Sequence, residues 1–165
     1  MDTVTFEDVR RMAHRQRRRL LPGDETPTTV LAHDLCKRLE PTRAQHDGSQ
    51  FLRHAAREMR HIIVDVARKQ QTHPPAAVDA RDPDAFEAAD ALWLDGGEER
   101  IVALDEAVTR LSAKSPCLAD VVNCRFFAGY SDADTARALG LSEPGVRREW
   151  AKARAWLYRE IGPDL

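Results

Sequence analysis

The stretch that decides the fold is DADTARALGLSEPGVRREWA, Asp132 to Ala151, which has the spacing of two short helices set against each other across a tight turn. Ala136 is small enough for a second helix to approach it closely. Gly140, four residues on, supplies the positive φ that such a turn requires. Val146 is placed to plug the angle between the helices, and Leu139, Leu141 and Trp150 complete the pocket. The second helix is expected over 143–161. Ser142 is its natural N-cap, and Pro144 lies in the first turn, where a missing N–H costs nothing. Val146, Trp150, Ala153 and Leu157 then form one stripe at helical spacing, and Arg147, Arg148 and Lys152 point elsewhere. A helix anchored through one face and basic on another suits entry into a DNA major groove. The alternative is a helical hairpin with solvated arginines. Glu143 and Glu149 are compatible with reading cytosine N4 or with orienting an arginine.

Outward from this segment the pattern stays helical. A helix over 98–112 carries Ile101, Leu104, Val108 and Leu111, and another over 116–128 uses Val121, Val122 and Phe126 before Gly129 stops it. Toward the N-terminus, Phe6, Val9, Met12 and Ala13 mark one face of a helix over 6–20, otherwise crowded with arginines. Leu31, Leu35 and Leu39 mark a second over 28–39. Residues 40–50 read as a loop, and a long helix over 49–69 buries Ala55, Met59, Ile62, Ile63 and Val66. Residues 71–97 hold Pro74, Pro75, Pro83 and an acidic excess, and read as a linker with a short helix around 85–94. Sustained period-two alternation is absent. The expected fold is all-α: two small helical domains, residues 1–70 and 98–165, joined by a flexible acidic linker.

Charge is distributed along the same divisions. The net charge of the 165 residues is −2, but residues 1–70 sum to +4, 71–99 to −7 and 100–165 to +1. Two basic-to-neutral segments therefore flank an acidic connector. Cys36, Cys117 and Cys124 form no CxxC pair, which argues against zinc and for free thiols in a reducing cytoplasm. The six histidines, His14, His33, His46, His54, His61 and His73, include a pair on one helix face, His54 and His61, with no carboxylate to complete a metal or acid–base site. No metal or cofactor is expected. Phosphate-binding loops, dinucleotide loops and nucleophile motifs are absent, which argues against an enzyme. No apolar run approaches the roughly 20 residues of a membrane span, and the N-terminus lacks a signal-peptide core.

The C-terminal stretch resembles region four of extracytoplasmic-function sigma factors, in particular a subgroup reading LDEALxxL, VVxLRFFxGxS, ETAxxLGxS and VKRDWxxARAWL. The counterparts are Leu104–Ala107, Arg125–Phe127, Thr135–Ala136, Leu139–Ser142, Val146–Trp150 and Ala153–Leu157. PTTVLAHDLCKRL and FLRHAAREMRHIIVDVARKQQ resemble region two of the same subgroup. The resemblance spans nearly the whole chain except the linker. It implies a cytoplasmic factor that directs promoter recognition by core RNA polymerase. His33, Asp34, Lys37 and Arg38 would meet the polymerase clamp. Asp47, Gln50, Phe51, Arg53, Arg57, Arg60 and Arg68 would serve the minus-ten element of promoter DNA. Ser142, Glu143, Gly145, Arg147, Arg148 and Lys152 would serve the minus-thirty-five element.

Departures from the pattern bear on specificity. The subgroup often carries Trp-x-Asn-Arg-x-His-Phe entering the third helix, where this chain has Gln45, Asp47, Gly48, Gln50 and Phe51. An aromatic wedge would stack an unpaired base for about 1–3 kcal/mol, and only the phenylalanine remains. Cys36 replaces a usual tyrosine, and Glu143-Pro144-Gly145 replaces Pro-Ala-Thr. Regulation would come from an anti-sigma factor or from a Ser/Thr kinase acting at Thr26, Thr28 or Thr29, which otherwise read as capping residues. Two other readings stay open: a dimeric helix-turn-helix repressor or activator, and an inactive sigma-like module that holds polymerase without opening promoters. The expected linker of 27 residues would reach about 90 Å or more when extended. That exceeds the roughly 50 Å between promoter elements one and a half DNA turns apart.

Overall fold

Seven α-helices and one π-helical turn, with no strand, form the described residues of the computed structural model, which are 6–21, 26–43, 48–72 and 97–162. In chain order these are α1 (Phe6–Leu20), α2 (Thr28–Arg43), α3 (Gly48–Thr72), α4 (Gly97–Lys114) and α5 (Pro116–Val122). The π turn (Asn123–Phe127), α6 (Asp132–Leu139) and α7 (Glu143–Ile161) follow. None of the described helices is long and apolar enough to cross a membrane. The all-α expectation holds. The linker and its short helix around 85–94 lie outside the described residues.

The helix ends follow local chemistry. α1 begins with Glu7 and Asp8 and ends with Arg17, Arg18 and Arg19, so both termini carry the sign of charge that the helix dipole favours. Ser115, Ser131 and Ser142 cap α5, α6 and α7 through their hydroxyl oxygens, which accept from the backbone N–H of Leu118, Asp134 and Gly145. Gly140 takes φ 66° at the end of α6, and the N–H of Leu141 closes that turn on the carbonyl of Ala136 at 3.0 Å.

Two elements depart from the periodicity. The segment expected as a loop over 40–50 is shorter, because α2 continues through Pro41 to Arg43 and α3 starts at Gly48. Proline's fixed φ is itself helical, so α2 passes through it at the loss of one backbone hydrogen bond. The helix expected over 116–128 changes character at Asn123, where the turns widen. The Ala128 N–H bonds to the Asn123 carbonyl at 2.9 Å and the Tyr130 N–H to Cys124 at 2.9 Å. Gly129, at φ 68°, ends it.

α3 lies at the centre. It packs on α2 along one side and on α4, the π turn and α6 along another. Ala56, Ile63 and Ala67 of α3, Leu35 of α2, Leu104 and Val108 of α4 and Phe126 and Phe127 of the π turn belong to one apolar cluster. The stripe Val146, Trp150, Ala153 and Leu157 holds α7 to this cluster, with none of the four more than 4% exposed.

Gly129 sits against Gln16 of the N-terminal half. A Cβ there would lie 2.6 Å from Oε1 and 2.9 Å from Cδ of Gln16, a side chain with no exposed surface. Gly140 shares its backbone conformation but has nothing within 4 Å of such a Cβ. Gly140→Ala should therefore show the cost of positive φ alone, about 1–2 kcal/mol. Gly129→Ala should cost about 1–3 kcal/mol more from overpacking. Urea unfolding of both variants measures the difference, and equal destabilisation would mean that Gln16 has room to yield.

Candidate nucleic-acid interface

α6 and α7 form the helix-turn-helix that the sequence spacing implies. Thr135, Ala136 and Ala138 of α6 are buried, as is Val146 of α7, the residue placed to plug the angle between them. The outer face of α7 carries Arg147, Arg148 and Lys152, all exposed. Arg147 reaches Asp132 at 3.3 Å, and Lys152 reaches Glu149 at 2.8 Å. The cation of each pair is exposed, so water and salt screen the contact and the cations stay available to a phosphate or base. Ser142 Oγ accepts from the Gly145 N–H at 3.1 Å and is thus committed to the cap. Glu143 is exposed in the first turn. These six residues lie at the N-cap and in the first half of one helix, and Gly145 among them is buried.

The four residues expected to face a polymerase clamp also lie together. His33, Asp34, Lys37 and Arg38 line a groove between α2 and α3 with Val30, Leu31, Ile62 and Val66. Val30 is 54% exposed, an apolar spot inside a charged rim. Arg38 stands among three carboxylates, at 3.4 Å from Asp34, 3.6 Å from Glu58 and 3.4 Å from Asp65. That network fixes the charged pattern of the groove.

The candidate minus-ten residues are distributed differently. Gln50 is exposed, Phe51 is buried, and Asp47 lies outside the described residues. The α3 arginines face the C-terminal half. Arg57 grips Asp120 of α5, with Nε and Nη2 donating to Oδ1 at 3.0 and 2.9 Å and Nη2 also to Oδ2 at 3.1 Å. Arg60 donates to Asp105 Oδ1 at 2.7 Å, to the Asp105 carbonyl at 3.0 Å and to Thr109 Oγ1 at 2.8 Å. Arg68 adds a contact to Asp105 at 3.6 Å. Arg53 lies close enough to Cys117 and Cys124 to act on both thiols. Burial pushes the Cys124 thiol up to about 12, and the neighbouring Asp120 carboxylate adds to the rise.

A polar seam that sequence reasoning missed joins the halves beside these arginines. Gln16 Nε2 donates to the carbonyls of Phe126 and Phe127, each at 2.8 Å, and Arg19 donates to Phe126 at 3.1 Å. The Tyr130 hydroxyl donates to the Leu52 carbonyl at 2.9 Å. Arg19 also stacks its guanidinium 5.2 Å from the Phe126 ring. Gln16 on a basic helix and two carboxylates in separate helices carry no sequence signal of pairing.

Residues 1–162 match the family model for ECF sigma factors. The chain belongs to the ECF sigma factor family. It is also similar to the ECF RNA polymerase sigma factor SigM of Mycobacterium tuberculosis, in the Erdman and H37Rv strains. Identity to both is 30% over 169 residues, covering 98% of this chain and 79% of each relative. No solved structure matches the chain. As an ECF sigma factor, it is an alternative sigma factor that binds core RNA polymerase and directs transcription initiation at promoter DNA.

The seam of this sigma factor generates a stability test. Gln16→Leu keeps the volume but removes the donor from a buried carbonyl, that of Phe127, while Arg19 still serves Phe126. Leaving one buried acceptor unsatisfied costs about 1–3 kcal/mol. Thermal unfolding should show it at about 2–4 °C per kcal/mol for a chain of this size. An unchanged Tm would mean that water replaces the amide there.

Proposed function

We propose that residues 1–70 and 98–165 act as the two recognition units of this sigma factor, joined through 71–97. α7 reads the minus-thirty-five element with Arg147, Arg148 and Lys152. Glu143 and Gly145 lie at its entry, and Ser142 holds that entry in shape. The observation that carries this assignment is the division of α7 into a buried apolar stripe and an exposed basic face. The groove of His33, Asp34, Lys37 and Arg38 takes the polymerase clamp, with Val30 as its apolar contact. The start of α3 and the arginines Arg53, Arg57, Arg60 and Arg68 serve the minus-ten element with Asp47, Gln50 and Phe51. The polymerase supplies the catalysis, and the work is done in the cytoplasm.

Control belongs to the finer part of the proposal, through an anti-sigma factor or a Ser/Thr kinase. Thr29 is exposed in the first turn of α2, whereas Thr28 Oγ1 lies 3.2 Å from His14 Nδ1 and accepts from Arg17 at 3.4 Å. A phosphate on Thr29 would stand at a helix N-terminus, where negative charge is favoured, beside the clamp groove.

Each unit offers few phosphate contacts, and non-specific binding of this kind has Kd of about 10⁻⁴–10⁻⁶ M at physiological salt. Docking both on the polymerase makes the second contact intramolecular and raises avidity by roughly 10²–10⁴. The free chain should therefore shift promoter DNA weakly, and core polymerase should make binding tight and specific. Arg147→Ala or Arg148→Ala should weaken the promoter complex by about 1–3 kcal/mol where the side chain reads a base. Asp34→Lys should reduce the gain from polymerase at a folding cost under ~0.5 kcal/mol. In vitro transcription and mobility shifts with core polymerase measure all three. Unchanged output from the Arg147/Arg148 double variant removes α7 from the mechanism. Nanomolar binding of a palindromic site by the free chain would replace this reading with a dimeric repressor.

A further inference from the structure

Three of the four arginines assigned above to the minus-ten strand, Arg57, Arg60 and Arg68, are occupied by the protein's own carboxylates. Asp120 holds Arg57 through a two-pronged contact, and Asp105 holds Arg60 and touches Arg68. A guanidinium fork meets a carboxylate and a phosphate in the same planar geometry, so the two compete for one position. The carboxylates come from the C-terminal half, on α4 and α5, and the arginines from the N-terminal half, on α3. Phe51 is only 9% exposed in this arrangement and has no face open to a base.

We propose that Asp105 and Asp120 form an autoinhibitory latch, an internal mimic of the promoter backbone that keeps the free sigma factor closed. The latch has a directional consequence. DNA alone must displace two carboxylates and also part the seam in which Gln16, Arg19 and Tyr130 hydrogen-bond across the halves. Polymerase engages the clamp groove between α2 and α3, where Asp34, Lys37 and Val30 stay accessible while the halves are closed. Polymerase can therefore dock first and DNA second. Free factor is kept from titrating onto exposed single strands.

The proposal rests on the assignment of the α3 arginines to DNA, and the experiment separates the two claims. The probe is a fluorescent single-stranded oligonucleotide carrying the non-template minus-ten sequence of a promoter transcribed by the reconstituted holoenzyme. Its binding to the free full-length chain is compared for wild type, Asp105→Asn/Asp120→Asn and Glu106→Gln/Glu160→Gln. The last pair changes net charge equally and makes no ion pair with α3. The latch-free variant should bind more tightly than both, by about 5–150-fold, the usual range for coupled sites. Equal affinity of the two variants overturns the latch. Holoenzyme carrying Arg57→Ala/Arg60→Ala should lose initiation; normal initiation defeats the α3 assignment itself, and the latch with it. Small-angle scattering of the wild-type chain gives a reading that needs no variant to fold. A closed chain of this length has a radius of gyration of about 15 Å. A clearly larger, two-lobed particle in the absence of polymerase overturns the proposal.

Discussion

A carbonyl oxygen cannot be buried without a donor, and the architecture turns on how that demand is met at Phe126 and Phe127. The π turn ends a helix inside the protein, so its last carbonyls have no backbone partner. One primary amide, Gln16 Nε2, answers both at 2.8 Å. An α1 side chain thereby becomes part of the C-terminal half's helix cap. The missing Cβ of Gly129 makes room for the amide, and the Phe126 and Phe127 rings, packed edge to face at 5.0 Å, fill the space behind. The seam arginines then find their carboxylates because the helices are already at contact distance.

Two kinds of basic surface result, and their settings differ. On α7 the paired cations Arg147 and Lys152 are themselves exposed, beside half-buried Asp132 and Glu149, and water screens the pairs. On α3 the Arg60 side chain is 12% exposed and Asp105 17%, so their attraction is less screened, and the guanidinium is further satisfied by a carbonyl and a hydroxyl. The same residue type is thus held open in one half and closed in the other. Charge counts along the chain do not distinguish the two.

The helix-turn-helix was legible because each of its requirements names a residue type at a fixed distance: a small residue, a glycine with φ near 66°, a serine cap and an apolar stripe. That His33, Asp34, Lys37 and Arg38 would lie together was legible, since they recur on one face of one helix. The end of α2 was misjudged because Pro41 reads as a breaker, although its φ suits the helix that runs on through it to Arg43. The π turn was invisible because NCRFF has ordinary helical residues and the widening comes from tertiary demand. The pairing of α3 with α4 and α5 was also illegible. An arginine written for DNA and one written for a buried aspartate look alike in a single sequence.

Salt acts on both of the competitors for Arg57. The Arg57 side chain is 48% exposed, so ions in solution screen its bond to Asp120. Ions also weaken the attraction of DNA phosphates for the freed guanidinium, through the counterions that binding releases. Raising ionic strength therefore loosens the internal bond and the external one together, and the two losses oppose each other in the net exchange. Under the proposed assignment of α3 to DNA, binding through Arg57 is therefore less sensitive to ionic strength than a contact with no internal competitor. On the outer face of α7, Arg147 and Lys152 carry counterweights of the same kind in Asp132 and Glu149.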